Sequence, residues 1–228
     1  MKVLLLTILP SLAIICFFVF SDRFKEPSGQ IIKVFIYGIL ITIPAFYINT
    51  YLDIFYEKNT NLNEALKGSF FSAGPVEEGL KLMVLYFLVY KMKDFNEPID
   101  GIVYGVTSSL GFATLENIYY VYLLAEYFNT SSMELAIIRS LSAVPAHAAF
   151  GIMMGYFFMR YAYIKNEGNL ALAFLIPAFL HSCYNYFVIY NFLISLIIIL
   201  LSWVIGLKIF FKLRIKQKVK KREFEKKV

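Results

Sequence analysis

Seven apolar runs, at about residues 3–20, 31–51, 68–90, 100–124, 134–159, 170–190 and 192–211, take up most of this 228-residue chain. About 20 apolar residues in a row make a helix long enough to cross the hydrocarbon core of a bilayer. The expected fold is therefore all-α: a polytopic transmembrane bundle of about seven helices, with six or eight as the alternatives. Composition agrees, since 59% of the residues are hydrophobic and mean hydropathy is +0.65, against roughly 45–50% apolar in a soluble domain.

No soluble domain, repeat or low-complexity linker interrupts the runs. The expected division is one membrane domain, residues 1–211, and a basic cytoplasmic tail, 212–228. That tail carries much of the net charge of +6 and leaves the rest close to neutral. Basic residues just after a membrane helix read as an anchor beside anionic lipid. No nucleic-acid module surrounds them, so membrane lipid is the expected partner and nucleic acid is not. Cys16 and Cys183 both lie in apolar runs, where buried thiols are expected and no metal spacing is formed. Residues 1–20 lack a basic n-region beyond Lys2 and have no cleavage site, which reads as a retained first helix.

The connections carry an orientation signal. Arg23, Lys25 and Lys33 flank the first, Lys91 and Lys93 lie in the third, Arg160 and Lys165 in the fifth, and the tail follows the seventh helix. The fourth and sixth have no Lys or Arg, while in the second Lys58 and Lys67 are offset by Asp53, Glu57 and Glu64. The alternation predicts an N-terminus outside and a C-terminus in the cytoplasm. Tyr51, Tyr56, Tyr90, Tyr122 and Tyr127 sit near helix ends, as an interfacial belt would.

Against this apolar background stand ionisable residues that cost roughly 2.5–3.5 kcal/mol each at mid-membrane. The third run opens with Glu77, Glu78 and Lys81, just after Pro75, which fits the first turn of a helix or a kink. The fourth carries Phe112, Glu116 and Asn117. The fifth carries His147 and Gly151, and the sixth His181, Tyr184 and Asn185. Glu77 and Lys81 share a helix face, as do Phe112 with Glu116 and His181 with Asn185. Gly151, one turn beyond His147, permits close approach of another helix. At 1.5 Å per residue, Glu77, Glu116, His147 and His181 all lie roughly 12–20 Å below the outer surface. Four helices deliver polar groups to one layer. Packing alone gives little reason for this, because an interhelical hydrogen bond in a membrane averages only about 0.6 kcal/mol. Arg139, about five residues into its helix, is expected to snorkel outward in a structural or substrate-gating role.

Carboxylates beside imidazoles can activate water, and a histidine with an asparagine one turn away can hold an oxyanion. Ser182 and Cys183 do not share a face with His181, which disfavours a serine or cysteine nucleophile. Two chemistries stay open: a water-activating glutamate without a metal, and a zinc site held by Glu77, Glu116, His147 and His181.

The ordered set Glu77-Glu78-x-x-Lys81, Phe112-x-x-x-Glu116-Asn117, His147-x-x-x-Gly151 and His181-x-x-Tyr184-Asn185 resembles the PrsW family of intramembrane proteases. That family is distantly similar to the CAAX-processing and bacteriocin-protection membrane proteases. The resemblance implies a protease of the bacterial cell membrane that cuts a single-pass anti-sigma factor on its extracytoplasmic side. That cut starts the release of a sigma factor under envelope stress. By analogy with the CAAX enzymes it implies a metal-independent glutamate mechanism with no cofactor. Glu77 would be the base, tuned by Glu78 and Lys81, with His181 and Asn185 at the oxyanion. Glu116 stands where those enzymes have histidine, and His147 is the imidazole that could replace it. Intramembrane Glu, His and Lys also make proton relays, so a proton-coupled transporter is the competing class. A non-catalytic scaffold is a third.

Overall fold

The computed structural model describes residues 1–55, 66 and 68–225. Tyr56, Glu57, Lys58, Glu64 and Lys67, which entered the orientation and belt arguments, lie outside the described residues, as do Lys226, Lys227 and Val228 at the end of the tail. Among the described residues there are eight α-helices and no strand. They are α1 Lys2–Ser21, α2 Ser28–Phe55, α3 Gly74–Phe87, α4 Asp100–Tyr119, α5 Ser132–Leu141, α6 Ala143–Ile164, α7 Glu167–Tyr190 and α8 Phe192–Glu225. A π-helical turn, Ser69–Ala73, leads into α3, and another, Tyr120–Leu124, ends α4.

Five helical stretches are long and apolar enough to cross a membrane: Lys2–Ser21, Ser28–Leu52, Ser132–Ile164, Glu167–Tyr190 and Phe192–Gln217. Of the two remaining rods, α3 is too short at 14 residues and α4, with 20, carries too many polar residues. The expected fifth helix is two: the rod breaks at Ser142, where the backbone leaves helical geometry, separating short α5 from α6. Ser131 caps α5 by accepting the Glu134 amide N–H at 3.1 Å. Pro75 lies in the first turn of α3, at the junction with the π-helical turn that precedes it. The last helix does not stop at 211 but continues through most of the basic tail.

Helix α4 is the centre of the bundle, buried along nearly its whole length. A helix with no lipid face needs no apolar stripe, which explains its many small polar residues. Thr107 and Thr114 return their hydroxyls to the carbonyls of Val103 and Leu110, at 2.7 Å each. Its neighbour α6 packs against it through facing glycines, Gly101 and Gly105 against Gly151 and Gly155. A Cβ on Gly105 would lie 2.5 Å from the Gly151 carbonyl oxygen, and one on Gly151 would lie 2.7 Å from that of Gly105. Only Gly-x-x-x-Gly on both helices lets the two backbones touch. Gly38 of α2 and Gly111 of α4 make a second such contact. On the far side Phe18 of α1 meets Phe210 of α8 edge to face, with centroids 4.9 Å apart.

The outer surfaces of α1, α2, α7 and α8 are rows of exposed Leu, Ile and Phe, as lipid contact requires. Cys16 belongs to that surface and Cys183 is half-buried. The expectation of two buried thiols fails for Cys16, which lies on the outer side of its helix rather than the bundle side, and is met only in part by Cys183. Both are free.

The loops sort onto two faces. Gln217 of α8 reaches Asp22 at the end of α1, and Gln30 at the start of α2 reaches Asp94 before α4. The basic connections therefore lie on one face, called here the tail face. The start of α3, the end of α4, the start of α6 and the end of α7 lie toward the other.

Candidate active site

Near that other face, five helices bring their ionisable groups to one buried layer. On α3, Glu77, Glu78 and Lys81 are all buried, and the Lys81 side chain has no exposed surface. A cation there must be paired at close range. Lys81 Nζ donates to Glu78 Oε1 at 2.6 Å and to His147 Nδ1 at 2.9 Å, and it lies 4.3 Å above the Phe112 ring. Phe112 thus supplies an aromatic face for the ammonium.

The two histidines are held by different glutamates. A carboxylate only accepts hydrogen bonds, so His181 Nδ1–H donates to Glu78 Oε1 at 2.8 Å. That leaves a lone pair on Nε2. His147 Nε2–H donates to Glu116 Oε2 at 3.0 Å, and its Nδ1 lone pair is the one that accepts from Lys81. The rings stand 5.0 Å apart, nearly perpendicular, with Phe150 stacked on His181 at 5.3 Å. Orienting an imidazole through its second nitrogen is how proteins fix the tautomer of a reacting or ligating histidine.

Arg139 is the residue that sequence reasoning placed wrongly. It does not snorkel outward. It turns into the layer, donating from Nη2 to Glu116 Oε2 at 2.6 Å and from Nε to Asn117 Oδ1 at 2.7 Å. Its guanidinium carbon lies 3.9 Å from the centroid of the Tyr120 ring. The break at Ser142 directs α5 across the end of α4, and so brings Arg139 over Glu116. Depth along a continuous fifth helix could not show that. Arg139→Lys keeps the charge but loses the fork that grips Glu116 and Asn117 together. Partners that orient a reacting group typically carry about 10–100-fold in activity. A drop of that size in kcat, with KM little changed and the protein still folded, is the expected result in a cleavage assay.

Three carboxylates face two cations. Glu116 is matched by Arg139 and Glu78 by Lys81, which leaves Glu77. Glu77 Oε2 lies 3.8 Å from both Lys81 Nζ and His181 Nε2, beyond hydrogen-bonding distance. This buried oxygen has no protein partner among the described residues. Glu78 Oε2 is also without one, but its other oxygen is saturated. Glu77, His147 and His181 each offer one ligand atom, all within 4.8 Å of one another. Gly151 sets the α4–α6 approach, and Tyr184 of α7 lies 3.4 Å from the Ser142 hydroxyl at the helix break. Asn185 is half-buried and makes no side-chain hydrogen bond among the described residues.

Two buried histidines and an unsatisfied carboxylate meet inside an apolar helical bundle, the kind of group a membrane-embedded hydrolase needs. The comparisons with known proteins agree. The family model described as PrsW family intramembrane metalloprotease matches residues 26–210, and this chain belongs to that family of intramembrane proteases. It is similar to proteins named Protease PrsW from Geobacillus kaustophilus, at 38% identity over 78% of this chain and 75% of that protein, and from Oceanobacillus iheyensis, at 35% over 88% and 90%. The Protease PrsW of Bacillus subtilis is 33% identical over 78% of this chain and 79% of that protein. No solved structure matches. The chain is thus a multi-pass membrane peptidase.

Proposed function

We propose that Glu77, His147 and His181 form the reacting centre at which a peptide bond of a single-pass membrane protein is hydrolysed. The observation that carries this reading is the buried Glu77 oxygen with no protein partner, beside the His181 Nε2 lone pair. Glu77 takes the proton of the attacking water. Glu78 holds the His181 ring, Glu116 holds His147, and Arg139 with Asn117 holds Glu116. An oxyanion role for His181 with Asn185 requires a second proton on the imidazole, since Nδ1–H is already committed to Glu78.

The residues also fit a divalent metal. Two histidines and a glutamate are the protein ligands of a catalytic zinc, and Glu78 behind His181 is the carboxylate such a ligand commonly leans on. A zinc ion on Glu77, His147 and His181 would polarise the scissile carbonyl and make its bound water acidic. The metal-free reading has its own observation: Lys81 occupies the Nδ1 lone pair of His147 and stands 3.8 Å from Glu77.

The substrate we assign is a membrane-anchored anti-sigma factor, cut on the extracytoplasmic side as the first step in releasing an envelope-stress sigma factor. The family resemblance supports it, and so does the charge bias of the loops, which favours a cytoplasmic tail face and a polar layer toward the outside. Residues 1–211 act as one protease domain in the bacterial cell membrane and 212–228 as its basic cytoplasmic tail. The test is purified protein in neutral-lipid nanodiscs with a single-pass anti-sigma factor. One cut, on the side of the substrate outside the cytoplasm, is expected. Metal content of the pure protein, and the rate after chelation and after zinc is restored, separates the two chemistries. Folded protein that leaves the substrate intact but carries protons or solute across vesicles would establish the transporter instead.

A further inference from the structure

A second group of buried acids lies on the tail face. Asp22 ends α1, Glu26 lies in the loop to α2, and Asp100 opens α4; all three are more than nine-tenths buried. Each offers one carboxylate oxygen, and these oxygens all lie within 4.8 Å of one another. Among the described residues no Lys, Arg or His forms an ion pair with any of them. A buried carboxylate without a counter-charge is costly, and three facing one another are more so.

The protein satisfies only half of this group. Asp100 Oδ2 accepts the amides of Asn96 and Glu97 at 2.8 and 2.6 Å, and the Tyr104 hydroxyl donates to Glu26. Asp22 Oδ1 accepts from the Phe24 amide at 3.1 Å and from Gln217 Nε2 at 2.9 Å. Asp22 Oδ2 and Asp100 Oδ1 have no partner. A neutral group repeats the pattern. Gln217 of α8 spends its amide nitrogen on Asp22 and Glu97, at 2.9 and 2.6 Å, and its buried Oε1 is left without a donor. Among the described residues, then, this acid cluster and the amide beside it hold buried oxygens that no hydrogen bond or ion pair satisfies.

We propose that Asp22, Glu26 and Asp100, completed by the side-chain carbonyl of Gln217, bind a hard divalent cation on the tail face. An all-oxygen donor set selects magnesium, manganese or calcium over zinc or copper. The site is separate from the polar layer: Asp100 and Glu116 are 16 residues apart on α4, about 24 Å at 1.5 Å per residue. Burial, the leading influence on Asp22 and Glu26, pushes both carboxyls up from their ordinary range, as expected of acids that lack a cation. A bound cation would tie together the α1–α2 loop, the start of α4 and the far end of α8.

The test uses full-length protein in phosphocholine nanodiscs, which offer no anionic lipid, titrated with Mn²⁺ and followed by its paramagnetic resonance signal and by Tm. One class of Mn²⁺ site should persist in Glu77→Ala and weaken by about tenfold or more in Asp22→Asn and in Asp100→Asn. Mn²⁺ should raise the Tm of wild type and of Glu77→Ala but not of the two asparagine variants. If either asparagine variant misfolds, the Tm response of wild type and Glu77→Ala remains as the reading. Equal Mn²⁺ affinity in folded Asp100→Asn, or no Tm response in wild type, overturns the proposal. So does an infrared signature of protonated carboxyls that Asp100→Asn reduces, in protein that binds no Mn²⁺.

Discussion

Glu77→Gln should stop peptide cleavage while leaving a folded protein in the membrane. The loss expected for removing a positioned base is about 10²–10⁴-fold, and a residue that is also a metal ligand loses at least as much. Stability should not fall. The Glu77 side chain makes no hydrogen bond among the described residues, so glutamine, of nearly the same shape, breaks none and gives up only the long 3.8 Å ion pairs to Lys81 and His181. Cleavage of a single-pass substrate and Tm are measured on the same preparation. Wild-type cleavage by the variant would remove Glu77 from the reacting centre. A large fall in Tm would show that Glu77 holds the fold rather than the chemistry.

Glu78→Gln should behave in the opposite order, with stability lost first. Lys81 is fully buried and its contact with Glu78 is 2.6 Å, against 3.8 Å to Glu77. Breaking a buried pair from one side typically costs about 3–5 kcal/mol, because the remaining charge is stranded. Low yield and a lowered Tm are expected. Adding Lys81→Met in the Glu78→Gln background removes the stranded charge, and Tm should return toward wild type. Cleavage should not return, because His181 has lost the carboxylate that fixed its ring. Recovery of both together would mean that Glu78 serves only to neutralise Lys81.

Neighbouring glutamates with opposite expected phenotypes show where sequence reading stops. Spacing puts both within reach of Lys81, and it cannot say which one Lys81 chooses. That choice depends on His181, which is 103 residues away from Glu78 in the chain. The layer itself was legible, because ionisable residues inside apolar runs stand out and helical rise converts their positions into depth. Seven rods were legible for the same reason. Arg139 was not, because its direction follows from a break at Ser142 that only Pro145 announces, by denying an N–H to the Leu141 carbonyl. The tail-face acids were hidden differently. Asp22, Glu26 and Asp100 sit in connections where acids are ordinary, and Gln217 sits among lysines in what reads as a solvated tail. Only the closure of α8 onto the end of α1 brings them together. Cys16 was misjudged because hydropathy says that a residue is in the membrane, not whether it faces protein or lipid.

The backbone contact between α4 and α6 limits how a substrate can arrive. Where Gly105 meets Gly151 the two helices touch backbone to backbone, with no long side chain between them to swing aside. That seam is welded shut, and Glu116 and His147 keep a spacing set by main chain rather than by rotamers. On the opposite wall Gly74 of α3 lies so close to α7 that an added Cβ would come within 2.9 Å of the Ala178 carbonyl oxygen. A transmembrane strand bound for cleavage therefore has no lateral doorway through either seam. Its entrance has to be formed by other helices, and the two glycine seams act as the rigid jambs on either side of it.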